Sequence, residues 1–250
     1  MFHLSGYFED VDQAGAAADI AAMNDTVLFT SGDQIRVANM ASQLAGAALL
    51  SAATTLTSCT IKSPSLRNRN NFPVAPIVNA DDFPSLPPMA EMFDSPIPLA
   101  VGEPLTMETN SDHAAAIEIQ GFVWLSDGVQ VPVKTGIFTA KLTTAIALVQ
   151  GNWVNGVVTF DQGLPTGQYQ VVGLRAESAN LQAARLVFPG SSPRPGVPAV
   201  STVTEEDLAT FRRGNLGVWG SFDSEAPFSI DCVGHTDTAQ TFYVDLIKVG

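Results

Sequence analysis

Positive charge is scarce in this chain. Lys and Arg number 12 against 25 Asp and Glu, so the formal net charge is −13 and the pI is near 4.4. Such a surface repels a phosphate backbone, and nucleic-acid binding would need a local basic patch. Two candidates exist: Lys62 with Arg67 and Arg69, and Arg212 with Arg213. The second pair reads as the C-terminal end of a helix, where cations meet the negative dipole end. The first matters only if the fold gathers it onto one face. No long Arg-rich arm is present, so no direct sequence-specific nucleic-acid contact is expected.

Cysteine is equally sparse. Cys59 and Cys232 are the only two, far apart and within strand-like runs. That excludes a disulfide framework and zinc-ligand spacing, and both are expected to be free buried thiols. The three histidines, His3, His113 and His235, form no His-x-x-x-His pair and read as surface or loop residues. Long apolar runs are missing too. The longest weakly polar stretch, Leu44 to Leu56, is shorter than the ~20 residues a membrane span needs. Met1-Phe2-His3-Leu4 runs into Glu9-Asp10, unlike a signal peptide, which predicts a chain made in the cytoplasm with no membrane span.

Catalytic motifs are likewise missing: no Gly-x-Ser-x-Gly elbow, no Walker loop, no dinucleotide fingerprint. Carboxylate pairs occur at Glu9-Asp10, Asp81-Asp82 and Glu205-Glu206, the last explained by a helix dipole. No catalytic residue, cofactor-binding residue or metal ligand is assigned, and the expectation is a protein that is not an enzyme. Trp124, Trp153 and Trp219 are either core fillers and interface anchors or a sugar-stacking platform.

What is present is apolar material, 46% of residues, punctuated by 20 Gly and 16 Pro. The clearest block runs from Val157 to Phe188. Val157–Phe160, Gln168–Ala176 and Ala183–Phe188 are rich in β-branched or aromatic residues and bounded by turn formers. Leu164-Pro165-Thr166-Gly167 is a turn in which Pro165 presets φ and Gly167 supplies a positive φ. Glu177–Gln182 fits a second reversal, so these strands read as antiparallel neighbours. Further strands are predicted at Phe2–Phe8, Thr26–Thr30, Leu56–Ser63, Val74–Val78, Ile137–Val149, Phe228–Val233 and Thr241–Val249. Leu105–Thr109 and Ala116–Leu125 read as a hairpin. In its second strand Glu118, Gln120, Phe122 and Trp124 share one face, which is either an interface or a surface under a loop. Leu105–Glu108 with Ile117–Phe122 echoes Val158–Asp161 with Tyr169–Leu174.

Two short helices are predicted. Ser31-Gly32-Asp33-Gln34 fits a capping box, and Val37, Met40, Ala41, Leu44 and Ala48 recur at helical spacing, giving a helix near 34–50. Thr204-Glu205-Glu206-Asp207 opens a second, near 205–213, ended by Arg212, Arg213 and Gly214. Asp12–Met23, Ala-rich, reads as a helix or a compact loop. Pro73 to Pro104 is too rich in proline for central strand. Its Phe83, Leu86, Met89, Met92 and Phe93 are buried either by neighbouring subunits or by folding back over their own sheet. Ser126–Pro132 is the best boundary.

Strand groups on either side of a helix, once in each half, resemble the double jelly-roll major capsid proteins of tailless viruses and phages. The resemblance implies a mainly β chain of two antiparallel jelly-roll β-sandwiches side by side. Residues 1–130 would hold the first jelly roll and 131–250 the second. It also implies a structural virion protein whose trimeric capsomers tile an icosahedral shell against neighbouring capsid subunits, with no active site and no cofactor. A carbohydrate-binding or adhesion β-sandwich module is the alternative from another class, and a hydrolase using loop carboxylates a third.

Overall fold

The computed structural model describes residues 2–250 except 14–16, 26, 52–55, 70–71, 75, 79–89, 112–116, 134, 178–179, 200–213, 215 and 236–237. It is mainly β, built from antiparallel sheets, and divides into two compact units. The N-terminal unit is Leu4–Gly128, and the C-terminal unit is Val129–Gly250 with Met1–His3.

Among the described residues the N-terminal unit draws on thirteen strands. They are β1 (His3–Gln13), β2 (Ala18–Asp19), β3 (Ala21–Ala22), β4 (Phe29–Ser31), β5 (Gln34–Arg36), β6 (Gln43–Ser51), β7 (Leu56–Lys62), β8 (Phe72–Val74), β9 (Pro76–Val78), β10 (Ala90–Glu91), β11 (Ile97–Pro98), β12 (Pro104–Ser111) and β13 (Ile117–Ser126). One sheet runs β10-β6-β13-β1-β3, with β9 and β11 also on β6; the other runs β4-β5-β12-β7-β8, with β2 on β12. The two sheets face each other through glycines. A Cβ on Gly6 of β1 would lie 2.6 Å from Ile35 Cδ1 of β5, and one on Gly121 of β13 would collide with Met107 Sδ of β12. Leu4, Phe8, Ile35, Leu49, Ile61, Leu105, Met107 and Val123 are all buried.

Among the described residues the C-terminal unit has nine strands: β14 (Phe138–Thr144), β15 (Val154–Val157), β16 (Thr159–Phe160), β17 (Gln168–Glu177), β18 (Leu181–Val187), β19 (Gly196–Pro198), β20 (Gly220–Asp223), β21 (Ser229–Gly234) and β22 (Gln240–Lys248). They form sheets β16-β14-β22-β17-β20 and β15-β21-β18-β19. Its core is aromatic. Phe222 stacks on Tyr169 at 5.6 Å and meets Phe228 edge-on at 5.1 Å, and Phe228 in turn contacts Phe188 and Phe160.

The two units repeat one strand order. Reading β10-β6-β13-β1 against β20-β17-β22-β14, and β5-β12-β7-β8 against β15-β21-β18-β19, matches strand for strand in chain order, whereas β3 precedes β5 and β16 follows β15. Along these eight strands of each unit, consecutive ones cross between sheets except β7–β8 and β18–β19, which pair directly. This corrects the hairpins expected from sequence. β12 pairs with β7 while β13 pairs with β6, and β17 pairs with β22 while β18 pairs with β21. Alternation within a strand reports that a face is buried but not which strand lies alongside. The chain also changes sheet at Val158, between β15 on β21 and β16 on β14. The internal echo is out of phase, because β12 and β13 correspond to β21 and β22, not to β16 and β17.

The helix expected near 34–50 is not formed. Ser31 pairs with Gln34 across a two-residue hairpin turn in which Gly32 takes φ +62°, so the residues read as a capping box close a β-turn. Beyond it, Gln43–Ser51 is a central strand between β13 on one side and β9, β10 and β11 on the other. Leu44, Ala45, Ala47, Ala48 and Leu49 are all buried. A strand covered on both faces loses its alternation, and a run of small apolar residues then matches helical spacing equally well. The helix near 205–213 lies outside the described residues. Among those described, the helical content is one 3-10 segment, Pro64–Arg69. Asp12–Met23 is extended where described, in the end of β1, β2 and β3.

The described part of the Pro-rich stretch folds back on its own sheet. Met92 N–H donates to Ala45 O at 2.8 Å and Leu99 N–H to Ser42 O at 2.8 Å. Phe93, 6% exposed, sets its ring edge-on to Trp124 at 6.3 Å. The face of β13 that carries Phe122 and Trp124 thus lies under a loop. Residues 79–89, with Phe83, Leu86 and Met89, lie outside the described residues.

Candidate functional site

The N-terminal unit brings Lys62 and Arg67 together, and the side chain of Arg69 lies outside the described residues. Arg36, Lys62, Arg67 and Arg69 are the only Lys or Arg in residues 4–128. Cross-strand pairing places Arg36 beside Pro104 and Lys62 beside Thr106, on the face opposite buried Ile35, Leu105 and Met107. Lys62 and Arg67, with Gln34, Ser63, Pro104 and Thr106, line a hollow of about 280 Å³. The charge there is largely consumed. Lys62 Nζ lies 2.8 Å from Asp19 and 2.9 Å from Glu108. Burial alone lowers its pKa, but the hydrogen bonds and charges of the two carboxylates outweigh that and hold the ammonium above its ordinary value. Two carboxylates around one ammonium make a poor phosphate site. Arg212 and Arg213 lie outside the described residues.

The histidines scatter. His3 is fully buried in β1, a correction to its reading as a surface residue. His235 follows β21, with Nε2 at 3.5 Å from Gln182 Nε2. His113 lies outside the described residues. Both thiols are free and buried as expected. Burial, with Glu108 nearby, pushes Cys59 up to about 12, and burial with Asp231 raises Cys232 well above its ordinary value, so neither is a nucleophile at neutral pH. Of the carboxylate pairs, Asp81-Asp82 and Glu205-Glu206 fall outside the described residues. Glu9 is buried on β1. Tyr7, on the same strand, is held protonated by burial and by the charges of Glu9 and Glu118. Among the described residues no three His, Cys, Asp or Glu side chains are grouped to hold a metal ion.

The tryptophans do not converge on a platform. Trp124 and Trp219 are buried. Trp153 is half-buried, with the Arg185 guanidinium 4.3 Å from its ring centre. Arg185, 1% exposed, donates through Nε to Asp231 Oδ2 at 2.9 Å, and Asn155 Nδ2 donates to Asp231 Oδ1 at 2.8 Å. Strands β18, β21 and β15 set Arg185, Asp231 and Asn155 directly opposite one another. Sequence reasoning missed this cluster because its members are 30 to 76 residues apart and only the sheet order joins them. A wider cleft of about 430 Å³ lies between β14 and the 161–165 loop, with Lys141 and Asp161 3.4 Å apart on its wall.

No family model matches the chain, and no curated protein matches it. Among solved structures, the chain is similar to the major capsid protein P2 from bacteriophage PM2, at 10% identity over 99% of this chain and 98% of that one, with a TM-score of 0.24. A superposition at that level does not establish a shared fold.

Proposed function

We propose that this is a structural virion protein, a double jelly-roll major capsid protein whose copies form trimeric capsomers of an icosahedral shell. The observation that carries the proposal is the repeated strand order. In each unit, two four-stranded cores such as β1-β13-β6-β10 and β5-β12-β7-β8 exchange the chain at every step but one, β7 to β8 and β18 to β19 staying within a sheet, which is how a jelly roll wraps. Residues 1–130 and 131–250 would each be one jelly roll. Two rigid β units joined in one chain suit a repeating contact role, and homo-oligomer contacts need apolar surface rather than a catalytic cleft. In this reading the partners are further copies of the chain, the location is the virion, and the role is non-enzymatic.

Light scattering coupled to gel filtration, followed by negative-stain microscopy, tests the proposal. Stable trimers or closed particles are expected. A monomer at all concentrations that binds a glycan array would overturn it in favour of the carbohydrate-binding alternative.

A further inference from the structure

We propose that one end of the N-terminal unit, bearing Phe29, Met40 and Val101, is a contact surface for a second copy of this chain. The inference rests on the assembly role proposed above and names one surface for it. Residues 36–44 and 97–105 run antiparallel at this end. Ile97 pairs with Leu44 and Pro98 with Gln43; Leu99 N–H donates to Ser42 O, Gly102 N–H to Val37 O and Val37 N–H to Glu103 O; Pro104 pairs with Arg36 and Leu105 with Ile35. The ladder passes from one sheet to the other, and midway both chains bulge into turns. Ala41 N–H closes one turn on Ala38 O, and Glu103 N–H closes the other on Ala100 O. Met40 and Val101 stand on these facing turns, 48% and 57% exposed. Phe29, 69% exposed, sits across from Arg36 on β4, and Arg36 Nη1 reaches Gly102 O at 3.4 Å. The three apolar side chains therefore share one end of the unit.

Charge selects the occupant. Copies of a chain carrying −13 repel one another, so a contact between them is least costly where charge is lowest. Residues 37–42 and 97–102 contain no Asp, Glu, Lys or Arg. Arg36, at the rim, offers a cation to the acidic surface of an incoming copy. Among the described residues β4 is an edge strand of sequence Phe-Thr-Ser, without the Lys or Pro that commonly blunts such edges. Exposed Phe and Met on a neutral edge are what a homo-oligomer contact favours.

The test compares Met40→Glu with Val101→Glu combined, in the full chain, against Val157→Glu, which adds the same kind of charge at a 79% exposed valine of the C-terminal unit. Light scattering across a dilution series should show wild type and Val157→Glu assembling alike and the double variant at least tenfold weaker. Equal assembly of all three would overturn this surface and leave the assembly role standing. Equal loss in both variants would mark a general charge effect and overturn the surface as well. A wild type that stays monomeric would overturn the assembly role and this inference with it. Should the double variant fold poorly, Met40→Cys gives a second readout. Its maleimide labelling should be at least tenfold slower in the assembled state than in the diluted monomer, whereas Val157→Cys should label equally in both. Equal rates at Met40→Cys would overturn the proposal.

Discussion

The two units place an ion pair on equivalent strands and treat it in opposite ways. In the C-terminal unit, Arg185 of β18 meets Asp231 of β21, with side chains 2% and 13% exposed and Trp153 against the guanidinium. In the N-terminal unit, the matching strands β7 and β12 carry Lys62 and Glu108, with side chains 31% and 37% exposed and Asp19 as a second partner. A planar guanidinium can be sheltered by an aromatic ring and bound by a carboxylate, whereas an ammonium keeps more of its water. The interiors differ in the same direction. The C-terminal unit fills its core with Phe160, Phe188, Phe222 and Phe228. The N-terminal unit brings its sheets together with Gly6 and Gly121 against Ile35 and Met107. One strand order thus tolerates two packing solutions, because the order is set by which edges pair and the core needs only to be filled.

The largest effect that would sharpen this contrast is removal of the central aromatic. Phe228→Ala should cost about 3–5 kcal/mol, the usual range for a fully buried Phe. Urea denaturation would measure it, and hydrogen exchange should place the lost protection in β17–β22. Loss spread evenly over both units would break the picture of two separately packed cores.

Next is the ion pair. Asp231→Ala strands a buried Arg185 and should cost about 3 kcal/mol. Glu108→Gln leaves Lys62 with Asp19 in a half-exposed site and should cost under about 1 kcal/mol. Similar losses from both variants, compared by chemical denaturation at one pH, would show that burial does not set the difference.

The glycines come third. A Cβ on Gly220 would press into the Phe188 ring, with Cδ2 at 2.6 Å, and a rigid ring cannot turn aside cheaply. Gly220→Ala should cost about 1–3 kcal/mol as overpacking. Gly121→Ala collides with the flexible end of Met107, which can swing away, and otherwise reaches Ile20 Cδ1 at an ordinary 3.4 Å, so it should cost less than about 1 kcal/mol. Thermal midpoints of the two variants in parallel would settle the ranking. A larger drop for Gly121→Ala would mean that Met107 is locked.

Much of this was legible residue by residue, and little of it pair by pair. β17 and β18 could be read from Gln168–Ala176 and Ala183–Phe188, since their β-branched residues stand between turn formers. At the expected Leu164–Gly167 turn the chain bends at Thr166 and Gly167, with Gly167 at φ +148°, its N–H donating to Ser224 Oγ at 3.0 Å, and the Tyr169 hydroxyl donating to Pro165 O at 2.6 Å. Both thiols lie buried in strands. What sequence spacing does not hold is the partner of each strand, and everything at the Arg185–Asp231–Asn155 cluster follows from partners. β6 was misread for a related reason: with neighbours on both edges and cover on both faces, Leu44–Leu49 has no polar side to display a period of two. The neutral surface at Met40 and Val101 was hidden in the same misreading, because Met40 was assigned to the apolar stripe of a helix that does not form.

The smallest effect uses the one buried thiol that each unit carries. Cys59 lies on β7 of the N-terminal unit and Cys232 on β21 of the C-terminal unit. Below the ordinary thiol pKa, both groups are protonated in the folded and the unfolded chain, and they impose no pH dependence. Above it, the unfolded chain releases thiol protons that the folded chain keeps, Cys59 up to about pH 12. Stability should therefore fall as pH rises from about 9, with the contribution lost progressively towards 12. At pH 8 the effect on stability is negligible, but the same burial makes the thiols reporters of opening. Under native conditions dithionitrobenzoate should react with neither at an appreciable rate, and in mild urea each should react when its own unit opens. Cys59→Ala and Cys232→Ala, each leaving one thiol, assign the phases. The aromatic core and buried ion pair predict that Cys59 reacts first. If Cys232 reacts first or the two react together, the C-terminal unit is not the more stable one, and the contrast in packing has no counterpart in stability.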